Sequence, residues 1–360
     1  MKKNVFSLIV LSCMMPIMVQ AHDFASVVDG QTLYFSIIDS ASHTACVTYE
    51  GGASGASQTK SYKGVVTVPV RVTVKGVTYS VTSIGTKAFC NSPGLTGIIF
   101  PGGVTGIGDF AFDGCINLES VVFPGNEVSI GEGAFFRCPS VSRVSIGSDW
   151  TNVNLRMFSW SEKLEEITIP AKVRQIRNLK SIRSLKRVNV DINNPYYISI
   201  DGLLYSADGH SLLAVPRALE GKVTVKEGTE RVYKGAISDC YSLNEIVLPS
   251  SLTGLSYREF AELTELKTIT FLGVQPIMTA TCDGKQVFAL MVASSINLSV
   301  PQIALKDYRN AIVSTRGEYA DLQSNLPSGS NSDVSTIPVL VHESDMVKAG
   351  DISGDKKLNP

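Results

Sequence analysis

Ile84-Gly85-Thr86-Lys87-Ala88-Phe89 returns as Ile107-Gly108-Asp109-Phe110-Ala111-Phe112 and again as Ile130-Gly131-Glu132-Gly133-Ala134-Phe135, a step of 23 residues each time. A fixed period of this size marks a solenoid, in which each unit is too small to bury its own apolar side and must stack on its neighbours. The step holds beyond the opening phrase. Phe89, Phe112, Phe135 and Phe158 are equally spaced, as are Leu95, Leu118, Val141 and Leu164; Pro101, Pro124 and Pro170 keep step, with Gly147 standing in once. The unit reads Ile-Gly-x-x-Ala-Phe-x-x-Cys/Ser-x-x-Leu-x-x-Ile-x-Phe-Pro-x-x-Val.

Each fixed position has a physical task. Leu118, Val121 and Phe123 point inward with period-two alternation at the end, and Pro124 stops pairing because it has no N–H. This predicts one short parallel strand per rung. Stacking then lays Phe112 over Phe89 and under Phe135, an aromatic ladder worth about 2 kcal/mol or more per ring. Ala-Phe-x-x-Cys suits one turn of α- or 3₁₀-helix on the outer side, with Gly85, Gly108 and Gly131 at a tight corner before it.

The pattern runs on with decay and recovery. Val153…Phe158…Leu164…Ile167-Thr168-Ile169-Pro170 is a good copy, Ile176…Val190 is two residues short, Val232…Pro249 restores the phrase and Leu255…Phe271 follows. Val66-Thr67-Val68-Pro69 and Leu298-Ser299-Val300-Pro301 look like the end strands, giving about ten rungs. Two insertions, Val72–Tyr79 around Gly76 and Tyr197–Tyr205 around Asp201-Gly202, read as hairpins standing out from one edge.

The organisation predicted from this is a signal segment at 1–21, a β cap at 22–64, a solenoid with its C-terminal cap at 65–322, a linker at 323–349 and a tail at 350–360. Met1-Lys2-Lys3, an apolar run and Val19-Gln20-Ala21 form the signal; Val10-Leu11-Ser12-Cys13 offers the alternative of a lipid anchor at Cys13. No later stretch is long enough to span a bilayer. A short amphipathic helix from Ala304 to Tyr308 and beyond closes the last rung. The formal net charge is −1 with no basic stripe, which speaks against nucleic acid. Cys115, Cys138 and Cys240 share one repeat position, so a column of buried thiols is expected, with a Cys115–Cys138 disulfide left open.

The repeat, together with Asn194-Pro195-Tyr196-Tyr197…Asp201-Gly202-Leu203-Leu204-Tyr205, resembles the BspA-like leucine-rich repeat proteins. That resemblance implies a β-rich, α/β-class leucine-rich repeat solenoid, right-handed and curved, exported to the surface and adhesive toward host matrix proteins or other cells. Gly350-Asp351-Ile352-Ser353-Gly354-Asp355 resembles the start of a dockerin calcium loop. The carboxylate required at position twelve is not reached before Pro360, so no calcium site is expected.

In leucine-rich repeats the outward strand residues form the docking face. One such column here is Ile99, Val122, Ser145, Thr168, Asn189, Thr224, Val247 and Thr270; its neighbour holds Arg143, Glu166, Arg187 and Glu245. Ile99, Val122 and Val247 suggest a sticky face, although β-branched residues also simply favour strands. Arg143, Glu166 and Arg187 alternate in sign, which suits pairing across rungs. Enzyme signatures are missing: His22, His43, His210 and His342 are scattered, and His210 beside Asp208 fits a polar turn. Neither cofactor nor metal is expected, and the chain reads as a monomeric, non-catalytic binder of a host matrix or bacterial surface protein. Two alternatives stand beside it. One is a glycan-binding module using Tyr196, Tyr197 and Trp150 or Trp160; the other is a structural spacer in a surface assembly.

Overall fold

The computed structural model describes residues 22–51, 62–256, 259–260, 262–277, 280–282, 285–287, 296–308 and 334–339. The signal segment, Cys13, His342 and the 350–360 tail lie outside them.

The Leu-x-x-Ile-x-Phe-Pro stretch forms the expected parallel strands. β4 (Gly64–Thr67), β7 (Leu95–Ile99), β9 (Ser120–Val122) and β11 (Arg143–Ser145) make one sheet, followed by β13 (Glu166–Ile169) with β15 (Arg187–Val190). β19 (Gly221–Thr224), β21 (Leu243–Leu248), β22 (Thr268–Phe271) and β25 (Ile296–Pro301) carry the series on. The register preserves the repeat: Ile98 pairs with Val121, Val121 with Val144 and Ile246 with Ile269. The solenoid makes about eight turns.

Most rungs also contribute a second strand, which the sequence reading did not anticipate. The Ile-Gly phrase itself pairs in parallel: β6 (Val77–Ile84) with β8 (Gly106–Ile107), β8 with β10 (Ser129–Ile130), and β12 (Asn152–Asn154) with β14 (Gln175–Arg177). Strands of two or three residues are too short to display alternation. The glycines serve this packing and not a corner. A β-carbon on Gly108 would stand 2.6 Å from the Thr86 nitrogen, and one on Gly131 2.6 Å from that of Asp109.

Between the two strands the Ala-Phe turn bonds alternately inward and onward. Ala88 and Cys90 N–H donate to Gly85 and Lys87 carbonyls of their own rung, whereas Lys87, Phe89 and Asn91 N–H donate to Asp109, Ala111 and Asp113 of the next. Phe110, Phe112 and Gly114 repeat this toward Glu132, Ala134 and Phe136. Such alternation needs left-handed backbone at two positions per turn: Lys87, Phe110 and Gly133 at one, with φ of 57°, 53° and 58°, and Asn91, Gly114 and Arg137 at the other. Single 3₁₀ turns replace it at Leu155–Phe158 and Leu179–Ser181.

Inside, Phe89 and Phe112 stack at 5.1 Å and Phe112 and Phe135 at 5.0 Å, with planes within 5°. That matches the rung spacing set by parallel pairing. The thiols of Cys115 and Cys138 are free, and each donates to a Phe carbonyl one rung back, Phe89 and Phe112, at 3.1 Å.

The cap and the insertions are inlaid, contrary to the expectation that the hairpins project. β1 (Phe24–Val28), β2 (Gln31–Asp39) and β3 (Thr44–Thr48) form an antiparallel meander, and β3 pairs in parallel with β6, so the cap continues the second sheet. β5 (Arg71–Val74) merely flanks β6, whose Tyr79, Val81 and Ile84 are buried. β16 (Tyr197–Ile200) pairs with β17 (Leu203–Ser206), then β18 (Ser211–Ala214), which runs parallel to β20 (Arg231–Val232). Leu203, Leu204 and Tyr205 are buried, and their apolar face explains why this hairpin cannot stand in solvent. Its Gly202 carbonyl accepts from Val188 N–H at 2.9 Å, so the hairpin interrupts the first sheet after β15 and divides the interior into two apolar clusters.

After a small antiparallel pair, β23 (Ala280–Cys282) and β24 (Lys285–Val287), β25 receives β26 (Val334–Val339) antiparallel on its open edge. The stretch assigned to linker thus contains a strand, consistent with the β-branched Val334, Thr336, Ile337 and Val339. Gln302–Ala304 begins the closing helix, and buried Tyr308 reaches the Gly273 and Gln275 carbonyls at 3.2 Å.

Candidate functional site

The outward columns of the first sheet come together as a face. Arg143, Ser145, Glu166, Thr168 and Arg187 are exposed, Ile99 is 36% exposed, and Val122, Asn189 and Thr270 are half-buried. Val247 is different. It is only 8% exposed, covered on the outward side of β21 between Thr224 of β19 and Thr270 of β22 while Ile246 and Leu248 face the apolar interior, so it offers little surface to a partner.

Charges do pair across rungs, with partners other than those the alternation suggested. Arg143 meets Glu119 at 3.4 Å, Lys186 meets Glu165 at 3.0 Å and Lys222 meets Glu245 at 2.7 Å, while Glu166 accepts a hydrogen bond from Asn189. These are exposed pairs that contribute little stability. Arg187 lies against the Asp201-Gly202 turn: a β-carbon on Gly202 would stand 3.0 Å from its Cγ.

The aromatic candidates separate sharply. Trp150 is buried and its Nε1–H donates to the Asn126 carbonyl at 2.8 Å. Tyr197 donates its hydroxyl to the Arg174 carbonyl at 2.9 Å, and burial raises its pKa. Both are structural. Tyr196 is 48% exposed, its backbone held with that of Tyr197 by the Oδ1 of buried Asn194. Trp160 is 52% exposed, edge to face with Phe136 at 4.9 Å.

Trp160 borders a feature that sequence reading missed, a groove of about 950 Å³ on the second sheet. Phe110, Gly131 and Gly133 of one pair of rungs line it together with Asn152, Gln175 and Arg177 of the next. The legible signal was a change of column: Gly85, Gly108 and Gly131 give way at the same repeat position to Asn154 and Arg177.

His210 and Asp208 lie 3.9 Å apart on an exposed turn, where Asp208 Oδ1 also accepts from the His210 N–H. Glu227 accepts from Ser250 and Ser251, chiefly the Ser250 hydroxyl, which holds its pKa low. Among the described residues no group of three or more His, Cys, Asp or Glu is placed to hold a metal ion.

Two parallel strands per 23-residue rung around a phenylalanine ladder define a leucine-rich repeat solenoid. The family described as "BspA type Leucine rich repeat region" matches residues 76–194 and 220–298 in six copies, and the chain belongs to that family. The unmatched interval coincides with the inlaid hairpin. Similar solved structures include the pneumococcal vaccine antigen PcpA, 19% identical over 70% of this chain and 82% of that one, with a TM-score of 0.42. A leucine-rich cell surface protein of Faecalibacterium prausnitzii A2-165 is 21% identical over 71% and 84%, with a TM-score of 0.38. A leucine-rich repeat protein of Bacteroides ovatus ATCC 8483 is 21% identical over 78% of each chain, with a TM-score of 0.43. No curated protein matches the chain.

Proposed function

We propose that this is a secreted or cell-surface binding protein that performs no chemistry and engages a protein partner, a host matrix or bacterial surface protein, through the first sheet. One observation carries the reading. From Ile99 to Ser145 the outward side chains run along one parallel sheet whose backbone is hydrogen-bonded rung to rung, apolar at Ile99 and half-buried Val122 and charged at Arg143, and exposed Glu166 and Thr168 continue the column on the next pair of strands. A backbone preorganised in that way lowers the ordering cost of binding. The leading Lys-apolar-small segment supports export, and Cys13 supports an anchored form as the alternative.

The test is surface plasmon resonance of the mature chain against fibronectin, fibrinogen, laminin and bacterial envelope proteins. Binding should fall at least about tenfold in Val122→Asp and Arg143→Glu, the size expected of a central contact. Affinities indifferent to both changes would remove the first sheet from recognition.

A further inference from the structure

The groove on the second sheet lies apart from the face proposed above and has a chemistry of its own. Its most exposed aromatic is Trp160, whose ring rests at 74° to Phe136, so that Phe136 props the indole upright. An indole held in this way offers a flat apolar platform in the lining of a concave site. Part of the lining is polar. Asn152 and Gln175 are register partners on β12 and β14, both exposed. Each commits one amide atom to neighbours: Asn152 Nδ2 donates to Thr151 Oγ1 at 2.9 Å and to Glu127 Oε1 at 3.4 Å, and Gln175 Oε1 accepts from Arg177 at 3.0 Å. These bonds orient the amides and leave Asn152 Oδ1 and Gln175 Nε2 toward other partners, one acceptor and one donor.

Charge narrows the occupant. Arg156 and Arg177 line the groove, and neither joins an ion pair among the described residues; Glu132 is the carboxylate of the lining and is likewise unpaired. The backbone that carries them is fixed, since Asn154 Oδ1 accepts from Arg156 N–H at 3.2 Å and from Asn178 Nδ2 at 2.9 Å. Asp109 and Glu127 adjoin the lining but are committed to hydrogen bonds, Asp109 to the Glu132 N–H and Glu127 to the Thr151 hydroxyl and Asn152, whereas the two guanidiniums lack a carboxylate partner among the described residues and their fork matches that of an incoming one. The volume suits a small molecule or a few sugar rings.

We propose that this groove binds an acidic oligosaccharide. A pyranose ring lies on Trp160, its hydroxyls meet Asn152 and Gln175, and its carboxylate is held by Arg177 or Arg156. No bond is made or broken in the process. A partner protein on the first sheet and a sugar in this groove can be held at once.

The experiment is isothermal titration of the mature chain with 3′-sialyllactose, with a glucuronate-containing hyaluronan tetrasaccharide, and with lactose as the neutral control. Saturable binding of at least one acidic probe is expected, at least tenfold tighter than lactose. The responding probe separates a sialic-acid from a uronic-acid source. Trp160→Ala, an exposed position whose loss should leave the melting temperature unchanged, should weaken the responding probe at least tenfold. Arg177→Gln with Arg156→Gln should bring it down to the lactose level. No saturable binding of either acidic probe, equal binding of lactose, or an acidic probe indifferent to Trp160→Ala would each overturn the assignment. None of these outcomes bears on the first-sheet variants, so the two proposals fail separately.

Discussion

Lys87, Phe110 and Gly133 occupy one position of successive turns, and all three hold left-handed backbone. For a residue with a β-carbon that conformation costs about 1–2 kcal/mol, and glycine escapes most of it. Lys87→Gly should therefore raise the unfolding free energy by up to about 1 kcal/mol, read from urea melts. Gly133→Ala should lower it by at least about as much, since its new β-carbon would also meet the Phe110 ring at 2.6 Å. The cysteine column makes a second case. The Cys115 thiol beside it, together with burial, holds the Cys138 pKa well above its ordinary value, so the reactive thiolate is suppressed. Ser92 fills the equivalent place and donates to the Phe89 carbonyl at 2.6 Å. Cys115→Ser should consequently cost under about 1 kcal/mol, and reductant should leave the melting temperature of the parent chain unchanged. A fall on reduction would reveal a Cys115–Cys138 bridge. The spacing made this column legible, but the left-handed turn was not: lysine, phenylalanine and glycine share no side-chain property that announces positive φ.

At the scale of the element, the second strand and its turn form a standard joint that one rung builds differently. Gly235 and Ile237 sit where Lys87 and Phe89 sit, and those N–H groups ordinarily find backbone carbonyls of the next rung. Here the Glu259 carboxylate takes both, at 2.7 Å from Gly235 and 3.3 Å from Ile237. Glu259 is 2% exposed, and burial raises its pKa despite those bonds and the nearby Lys180 and Lys234. Because the folded form holds its proton to higher pH than the unfolded chain, this group's contribution is full below the ordinary glutamate range. It is lost as pH rises through the raised folded value. Thermal melts should thus show stability declining above about pH 4.5, and Glu259→Gln should flatten that slope. The strand of the Leu-x-x-Ile-x-Phe-Pro stretch was readable because Leu118, Val121 and Phe123 alternate over enough residues. Ile107 beside Gly108 offers no alternation, and the buried sides of the hairpins emerge only when the rungs are stacked.

Across the whole molecule the inlaid hairpin creates two interiors, and Lys180 ties them. Its ammonium donates to the Ser238 carbonyl and lies 3.6 Å from Cys240 Sγ, on the far side of the interruption, while burial pulls its pKa down. Lys180→Met keeps the apolar stem and abandons the carbonyl, a loss of about 1–3 kcal/mol. Calorimetry should show the single transition of the parent resolving into two in this variant, because neighbouring rungs couple only through their shared interface. The period disclosed the stacking and the outward columns; Val247 and the groove depended on what lies beside each rung, which no single column records. The rung-to-rung hydrogen bonds have a mechanical corollary. They lie along the axis joining the two ends, so tension between those ends opens them one rung at a time, as a zipper, and not together in shear. Each opened rung of 23 residues frees about 80 Å of extended chain. A solenoid built this way is a shock absorber: under load it lengthens in steps of one rung before it unravels altogether.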